Sequence, residues 1–400
     1  MEKAETYRLK RLWFAVPGVA ALALTWAAQA NPGLTETWFS RGVYPWLSSI
    51  WGFLPSLVSW SVAQWVVVAA LAFCAGWLVF YAIALVRGRG KRRFVLWRAA
   101  STMLAVVSAG YCIFALMCGL NYYRHTFAED AGFELRESTT EELVSLCENL
   151  AAHMNDARAE VEAAAPAAAD AATPTAADEA LAAEADEYAA ARGGFETYAK
   201  EAVTNMKALA ETYPALDRPL YSRPKPVIFS ELMSYADIAG MYFPFTVESN
   251  INKDGPFFTI PATMGHELAH QCGFMREDEA NFIGYLACKD AADPLTRYSG
   301  YSLAYDYALS ALIGADRDAA LAVNDTLSDA VRADRRARAA YLKQFEGPVA
   351  EVSNAANNAY LKANQQTDGT RSYGRMVDLL LAEARQAETT EDVQAAADAE

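Results

Sequence analysis

Two histidines and a glutamate fall within one five-residue segment, His266-Glu267-Leu268-Ala269-His270. Because the chain contains only 4 histidines, this HExxH pattern is a roughly one-in-a-few-hundred coincidence for such a composition. On a helix, residues four positions apart share a face, so both imidazoles would reach one tetrahedral ion. The spacing predicts a zinc site in which His266 and His270 bind the metal and Glu267 is the catalytic general base.

A third protein ligand is expected, because a catalytic zinc ion normally takes three and leaves one position for water. The candidates are the acidic residues in the segment 276–281. If a second helix begins near Glu277, the small residues Ala280 and Gly284 share its face and allow a close approach to the first helix. We therefore favour Glu277 as the third metal ligand, with Glu279 as the alternative.

Two short helices must position these groups. Pro261 can occupy an early position of the first helix, and Gly273 suits a left-handed C-cap. Asn281, on the second helix, could orient one of the two imidazoles through a hydrogen bond. The oxyanion formed in hydrolysis also needs a donor, and three downstream residues have suitable chemistry, although packing is the competing interpretation for each: Tyr298, Tyr301 and Tyr305.

The pairing of HExxH with the sequence Glu277-x-Glu279-Ala280-Asn281 resembles the gluzincin peptidases. In that class a glutamate on the following helix supplies the third zinc ligand, and its position matches Glu277. The resemblance implies an α+β zincin-like domain with a small sheet. Similarity to the metzincins is weaker, because Arg276 stands where their third histidine would be.

A closer resemblance rests on the segments 119–124, 242–245 and 266–288. They look like an uncharacterised bacterial membrane family, domain of unknown function 3810. The similarity covers most of the chain except an alanine-rich insertion and the C-terminal tail. It implies a three-span anchor followed by an outer gluzincin-like domain, and it implies no substrate.

Three apolar runs, at 12–30, 62–86 and 94–120, are each about as long as the ~30 Å hydrocarbon core requires of a helix. The second run has no charged residue, and a soluble core helix is rarely apolar all round at that length. We predict three N-terminal transmembrane helices within an anchor at 1–120, and hence the lipid bilayer as a partner. Arg124, just after the third run, is expected at the lipid headgroups.

The basic residues predict the orientation of these spans, because short cytoplasmic loops are enriched in lysine and arginine. Such residues are concentrated in the segments 3–11 and 87–93. A chain that starts inside and crosses three times leaves everything after Asn121 outside, so we expect a multi-pass protein of the cell membrane with an extracytoplasmic catalytic domain. The first run also resembles a signal peptide with a small-residue site at 28–30, but its length favours an uncleaved anchor.

Beyond the anchor, the pattern predicts a zincin-like domain at 121–385 and a disordered acidic tail at 386–400. Within the domain, residues 157–194 form an insertion rich in alanine, aspartate and glutamate that we interpret as flexible or loosely helical. The remaining predictions are helices at 141–156 and 195–213, a strand at 226–229 and an edge strand at 241–247 interrupted by Pro244.

The formal net charge of −15 excludes a nucleic-acid-binding role, because the basic residues lie in the cytoplasmic segments and leave the outer portion acidic. Of 6 cysteines, three lie in the apolar runs, and the others lack any zinc-ribbon spacing. Core packing is therefore expected for those three: Cys147, Cys272 and Cys288.

Together these patterns predict a membrane-anchored zinc metallopeptidase that hydrolyses peptide bonds of an unknown peptide or protein substrate. Two alternatives remain open from the sequence: a zinc-dependent amidase acting on cell-wall cross-links, and a non-catalytic zinc-binding membrane scaffold. The presence of Glu267 argues against the scaffold, because a structural zinc site needs no such carboxylate and prefers four protein ligands.

Overall fold

The computed structural model describes residues 10–88, 90–164, 174–363 and 375–398. The described chain is mainly helical and includes one small sheet. Its helices, in chain order, are α1 Lys10–Ala30, α2 Tyr44–Ser56, α3 Val62–Arg87, α4 Arg92–Met117, α5 Phe127–Ala131, α6 Thr140–Ala164, α7 Pro174–Ala191, α8 Gly194–Thr212, α9 Ser230–Tyr235, α10 Ile260–Gln271, α11 Glu277–Lys289, α12 Pro294–Ala315, α13 Arg317–Asp325, α14 Asp329–Gln344, α15 Pro348–Ala363 and α16 Arg375–Asp398. Its strands are β1 Lys225–Pro226, β2 Gly240–Phe243 and β3 Glu248–Ile251.

Helices α1, α3 and α4 are long and apolar enough to cross a membrane, with 21, 26 and 26 residues respectively. They coincide with the three predicted apolar runs to within a few residues, so the prediction of three helices that are long and apolar enough to span a membrane is confirmed. Helices α1 and α4 pack together, and the Ser108 hydroxyl lies 2.7 Å from the backbone nitrogen of Gly18, which donates to it. Three basic residues used to predict the orientation lie outside the described residues: Lys3, Arg8 and Arg89.

The core of the domain is built around α12, which packs against α6, α10 and α11. Helix α6 presents the predicted stripe to this core: Leu143, Leu146, Cys147 and Leu150 are all buried. The helix predicted at 141–156 is therefore confirmed and continues to Ala164. The helix predicted at 195–213 is likewise observed, as α8.

The alanine-rich insertion is helical where it is described, as in one of its two predicted states, but this helix is docked rather than loose. Helix α7 docks onto the domain through Tyr188 and Ala189, which are buried. Fully buried Arg158 binds the carboxylates of Glu184 and Asp334 at 3.2 and 2.8 Å. The small alanine side chains permit this close packing. The ion pairs help to hold the helix in place, since the segment has few large apolar side chains to bury. Residues 165–173 of the insertion lie outside the described residues.

The C-terminal tail also differs from its prediction of disorder. The backbone of α16 continues as a helix to Asp398, and only residues 399–400 of the tail fall outside the described backbone. The composition accounts for the difference, since alanine, glutamate and glutamine all have high helix propensity.

The sheet has the order β1-β3-β2, with β1 parallel and β2 antiparallel to β3. The strand predicted at 226–229 is largely wrong, because β1 ends at Pro226. Val227 still donates to the Ile251 carbonyl at 3.0 Å, but Ile228 then turns away and donates to the Gln64 side chain of α3 at 3.0 Å. Strand β2 lies at the edge of the sheet, as predicted, and ends before Pro244.

Residues 31–61, here called the bridging segment, connect α1 to α3. They belong to the anchor predicted at 1–120. They form a π-helical stretch at Thr35–Val43 followed by α2, and they pack against the sheet and the C-terminal end of α10. The structure of this segment could not be predicted from periodicity alone, because its buried residues contact partners as far as 81 to 227 positions away in the chain.

Candidate metal centre

Helices α10 and α11 carry the predicted site and touch through glycines. Pro261 stands in the first turn of α10, and Gly273 terminates it with a φ of +88°, as expected for a left-handed C-cap. A Cβ atom at Gly284 would lie 3.0 Å from the backbone nitrogen of His266. The predicted close approach at Gly284 is therefore confirmed. It brings α11 near enough for Glu277 to reach both histidines and for Asn281, one turn later, to reach His266.

The carboxylate of Glu277 lies between the two imidazoles. Its Oε2 atom is 3.3 Å from Nε2 of His266, and its Oε1 atom is 3.8 Å from Nε2 of His270. One potential ligand atom from each of the three residues lies within 4.8 Å of the others. A tetrahedral zinc ion with ligands at about 2.1 Å separates them by roughly 3.4 Å, so small rotations of these side chains are enough to enclose one.

Both imidazoles are oriented by a hydrogen bond at Nδ1. The Nδ1 atom of His266 lies 2.8 Å from Oδ1 of Asn281, whose Nδ2 donates to the Tyr307 hydroxyl at 3.0 Å. The Nδ1 atom of His270 lies 2.7 Å from the carbonyl oxygen of Phe274. Both acceptors take a proton from Nδ1, so that in a neutral imidazole Nε2 is the nitrogen that can bind a metal ion. Asn281 therefore has the orienting position that the sequence suggested.

The side chain of Glu267 is buried beside this cluster. Its Oε1 atom lies 4.0 Å from Nε2 of His266, and its Oε2 atom has no hydrogen-bond partner in the part of the chain that is described. A buried carboxylate oxygen without a partner is costly unless water or a ligand satisfies it. The backbone of Glu267 is fixed by the Ser249 hydroxyl, which donates to its carbonyl at 2.8 Å.

The four ionisable groups perturb one another strongly. Burial lowers the pKa of His266, but hydrogen bonding to Glu277 and the nearby carboxylate charges outweigh it and raise that pKa to about 9. Burial raises the pKa of Glu267 to about 8, whereas burial and the charge of His266 lower the pKa of His270 to about 4. Burial also acts to raise the pKa of Glu277, yet the two histidines lower it overall. These groups titrate as a unit, and a divalent cation among them would favour neutral imidazoles and ionised carboxylates.

The cluster faces a cavity of about 740 Å³. Strand β2, helices α10 and α11 and the last turn of α4 at Phe114 all contribute to its walls. Two tyrosines from distant parts of the chain, Tyr307 and Tyr360, also line it. The cavity is large enough for several residues of a peptide.

The alternative ligand Glu279 lies outside the cluster. Its carboxylate pairs with Arg276 at 2.9 Å and accepts a hydrogen bond from the backbone nitrogen of Phe127 at 3.0 Å. The structure therefore brings Glu277, and not Glu279, to the two histidines. The difference follows from helix geometry, since residues two positions apart point about 200° away from each other around the axis.

The tyrosines suggested as oxyanion donors do not line the cavity. Tyr298 donates to Asp334 at 2.8 Å, and Tyr301 stacks on His153 with ring centroids 5.0 Å apart. Tyr305 is buried near Arg335. The cavity-lining Tyr307 lies two positions after Tyr305 on α12, on another face. No sequence signal singles out Tyr360, which reaches the site from α15.

The C-terminal end of α10 is held by residues that the sequence did not indicate. The Tyr44 hydroxyl of α2 donates to the Gln271 carbonyl at 3.2 Å, and the Arg218 guanidinium binds the same oxygen. Arg124 donates to the Cys272 carbonyl at 3.2 Å and stacks over the ring of Phe274 at 3.8 Å. The prediction that Arg124 reaches the headgroups is therefore wrong, because its guanidinium is buried in this network and paired with an acid of the bridging segment, Glu36.

The fold and the site define a mainly helical protein with three candidate membrane spans and a cluster of two histidines and a glutamate in the wall of a cavity. The chain belongs to the family described as Protein of unknown function (DUF3810), whose sequence profile matches residues 39–381. The family named from the sequence is thereby confirmed. No curated protein and no solved structure matches the chain.

Proposed function

We propose that this protein is a membrane-anchored zinc metallopeptidase of the gluzincin type, in which Glu267 activates water for the hydrolysis of peptide bonds. One arrangement carries the proposal. The ligand atoms of His266, His270 and Glu277 lie within 4.8 Å of one another. The Oε2 atom of Glu267, which has no hydrogen-bond partner among the described residues, is buried directly beside them.

The residues fit a catalytic zinc site better than a structural one. They offer two imidazole nitrogens and one carboxylate, which leaves a fourth position for water, whereas structural zinc sites usually take four protein ligands. His266, His270 and Glu277 would hold the ion. When bound, zinc lowers the pKa of a water molecule towards ~7 and polarises the scissile carbonyl.

Glu267 is the group placed to move the proton. Its Oε2 atom can accept a proton from the attacking water and pass it to the leaving amine, which is the role of a general base and then a general acid. Gly240 makes room for this carboxylate, since a Cβ atom there would lie 2.5 Å from Oε1 of Glu267. A bulkier residue at that position would displace the base.

A peptide fits the cavity for a further reason. Strand β2 pairs with β3 on one side only within the described chain, and its residues Gly240–Phe243 line the cavity. The free side of an edge strand can bind an extended peptide through backbone hydrogen bonds, irrespective of most side chains. This geometry favours a peptide substrate and leaves its sequence open.

The proposed orientation puts the catalytic domain outside the cell membrane. The C-terminal ends of α1 and α4 and the N-terminal end of α3 all meet the domain. The acid Glu248 of β3, for example, accepts hydrogen bonds from the first two backbone nitrogens of α3, at Val62 and Ala63, at 3.1 and 2.8 Å. The opposite ends of the spans carry the basic residues, which supports a cytoplasmic position for those ends.

The decisive experiment compares wild type with Glu267→Gln in living cells. Terminal peptides of envelope proteins and soluble cell-wall fragments are quantified in a deletion strain that carries either form, together with zinc content of the purified protein. We expect products that depend on Glu267 and equal zinc in the two proteins. Identical products, with full rescue of the deletion by Glu267→Gln, would exclude hydrolysis and favour a scaffold.

A further inference from the structure

Helix α2 of the bridging segment has its apolar side turned outwards. Trp46, Ile50, Leu54 and Leu57 are each more than 60% exposed: their values are 64%, 74%, 73% and 64%. Their spacing of three and four residues places them on one face of a helix. A helix on a water-facing surface shows the reverse pattern, with polar side chains outwards.

The inner face of α2 is small and polar and is fixed to the site. Ser48 is fully buried and its hydroxyl accepts a hydrogen bond from Arg218 at 3.1 Å. Gly52 packs so closely that an added Cβ atom would lie 3.0 Å from Val247. The Trp51 indole donates to the Phe245 carbonyl at 2.9 Å. The position of the apolar face is therefore set relative to the metal centre.

The outer face is continuous with the candidate spans. The bridging segment leaves the C-terminal end of α1 and leads into α3 five residues after α2 ends. Helix α2 has no charged residue, and the charged residues of the segment, Glu36 and Arg41, pair with each other at 2.6 Å. Tryptophan favours the boundary between lipid and water, and four are partly or largely exposed here: Trp38, Trp46, Trp51 and Trp60.

Part of the wall of the cavity lies next to this surface. Phe114, in the last turn of α4, and Phe243 and Phe245, around the end of β2, form part of its wall. The backbone of Phe245 is also the acceptor for Trp51 of α2. Phe114 and Phe245 therefore connect the end of a span and the apolar helix to one wall of the cavity.

We infer that α2 lies in the membrane interface with its apolar face in lipid, and that the metal centre acts on peptides tethered to the same bilayer. The lipid is favoured over a second copy of the chain because the face continues the exposed apolar surfaces of three candidate spans. The substrate part of this inference rests on the proposed function. The position of α2 does not.

The position of α2 is tested by spin labels on the full chain in nanodiscs of phosphatidylethanolamine and phosphatidylglycerol. Labels are attached at Ile50→Cys and, as a matched control on α13, at Leu321→Cys, whose native side chain is 55% exposed. Cys74 and Cys112 are changed to Ala, and the remaining cysteines are buried. We expect the label at 50 to be relaxed by oxygen and shielded from an aqueous nickel chelate, with the opposite result at 321. Equal exposure to the chelate, or spin–spin broadening from a second copy, would overturn the inference.

The substrate class is tested with a mixture of random octapeptides in three forms: free, N-palmitoylated, and fused to a synthetic transmembrane helix. Confinement to the bilayer raises the effective concentration, so tethered forms should be cleaved at least about tenfold faster by wild type in vesicles, with Glu267→Gln as the blank. The two tethered forms distinguish a lipid anchor from a protein span. Equal rates for free and tethered peptides would overturn the substrate inference. No cleavage of any form would reject the proposed function and this substrate class with it, while the spin labels still decide the position of α2.

Discussion

Gly265 of α10 and Gly284 of α11 face each other in direct backbone contact: a Cβ atom at Gly265 would lie 3.0 Å from the Cα atom of Gly284. This contact sets the distance between the helix that carries both histidines and the helix that carries Glu277 and Asn281. The cluster of His266, His270 and Glu277 therefore depends on two glycines whose lack of a side chain allows the helices to touch.

The first prediction follows from that contact. Gly284→Ala should separate α10 from α11, weaken zinc binding and destabilise the protein by about 1–3 kcal/mol, as overpacking does. Gly314→Ala is the matched control, because no atom of the described residues lies within 4 Å of a Cβ atom there, and it should be neutral or slightly stabilising. Thermal unfolding and zinc titration measure both effects. Unchanged zinc affinity in Gly284→Ala would show that the helices do not need this contact.

The second prediction concerns Asn281, which orients His266 from outside the ligand set. Asn281→Ala removes the acceptor for the Nδ1 proton and should weaken zinc binding by about 10–100-fold. Asn281→Asp keeps an acceptor at that place and should restore most of the affinity. Isothermal titration with zinc separates the variants. Equal affinity for wild type and the Ala variant would mean that His266 is held by other contacts.

The residues of the site that lie on one helix or on two successive helices could be predicted from the sequence, because their short spacing determines where they point. The spacing of His266 and His270 places both on one face of a helix, next to Glu267. Glu277 begins the following helix after a short loop. Apolar length alone indicated α1, α3 and α4. By contrast, the support of α10 by Tyr44 joins residues 227 positions apart, and Tyr360 enters the cavity from α15. Such contacts depend on the packed fold, which no pattern within a single segment reveals.

The third prediction is a pH dependence at the docking of α16. The Arg385 guanidinium binds Glu142 of α6 through two hydrogen bonds of 2.9 Å, and hydrogen bonding to Arg385 lowers the pKa of Glu142 from 4.5 to about 2. Because the folded-state pKa is the lower one, the stabilisation is complete above pH 4.5 and is lost as the pH falls towards 2.

Glu142→Gln should therefore lower the melting temperature at pH 7 by about 1–3 °C, and its difference from wild type should shrink as the pH falls through 4. Glu148→Gln, an exposed acid on the same helix, is the control and should behave as wild type throughout. Scanning fluorimetry between pH 7 and pH 3 provides the measurement. A constant difference across that range would show that the charge of Glu142 has no part in docking α16.

The fourth prediction tests the proposed orientation. A reporter that is active only in the cytoplasm should function when fused after Gly90, and one that is active only outside should function when fused after Gly194. The basic residues around Gly90 retain that loop inside. One candidate span, α4, lies between Gly90 and Gly194 and puts Gly194 on the other side. Changing Lys91, Arg92 and Arg93 to Ser should weaken this preference. The reverse reporter pattern would move the metal centre into the cytoplasm.

The last prediction separates the ligand from the neighbouring acids. Glu277→Gln should lose most bound zinc, because the carboxylate of Glu277 is the anionic group of the cluster and lies between the two imidazoles. Glu267→Gln should keep zinc close to one ion per chain but lose turnover by about 100-fold or more, since it removes only the proton acceptor. Glu279→Gln is the matched control, because its carboxylate pairs with Arg276 instead, and it should retain zinc even if it unfolds at a lower temperature. Metal analysis by mass spectrometry on the purified variants, with His270→Ala as the zinc-free reference, gives the answer directly. Zinc retained by Glu277→Gln but lost from Glu279→Gln would exchange the roles of the two acids and require α11 to turn by about 200° from the geometry described.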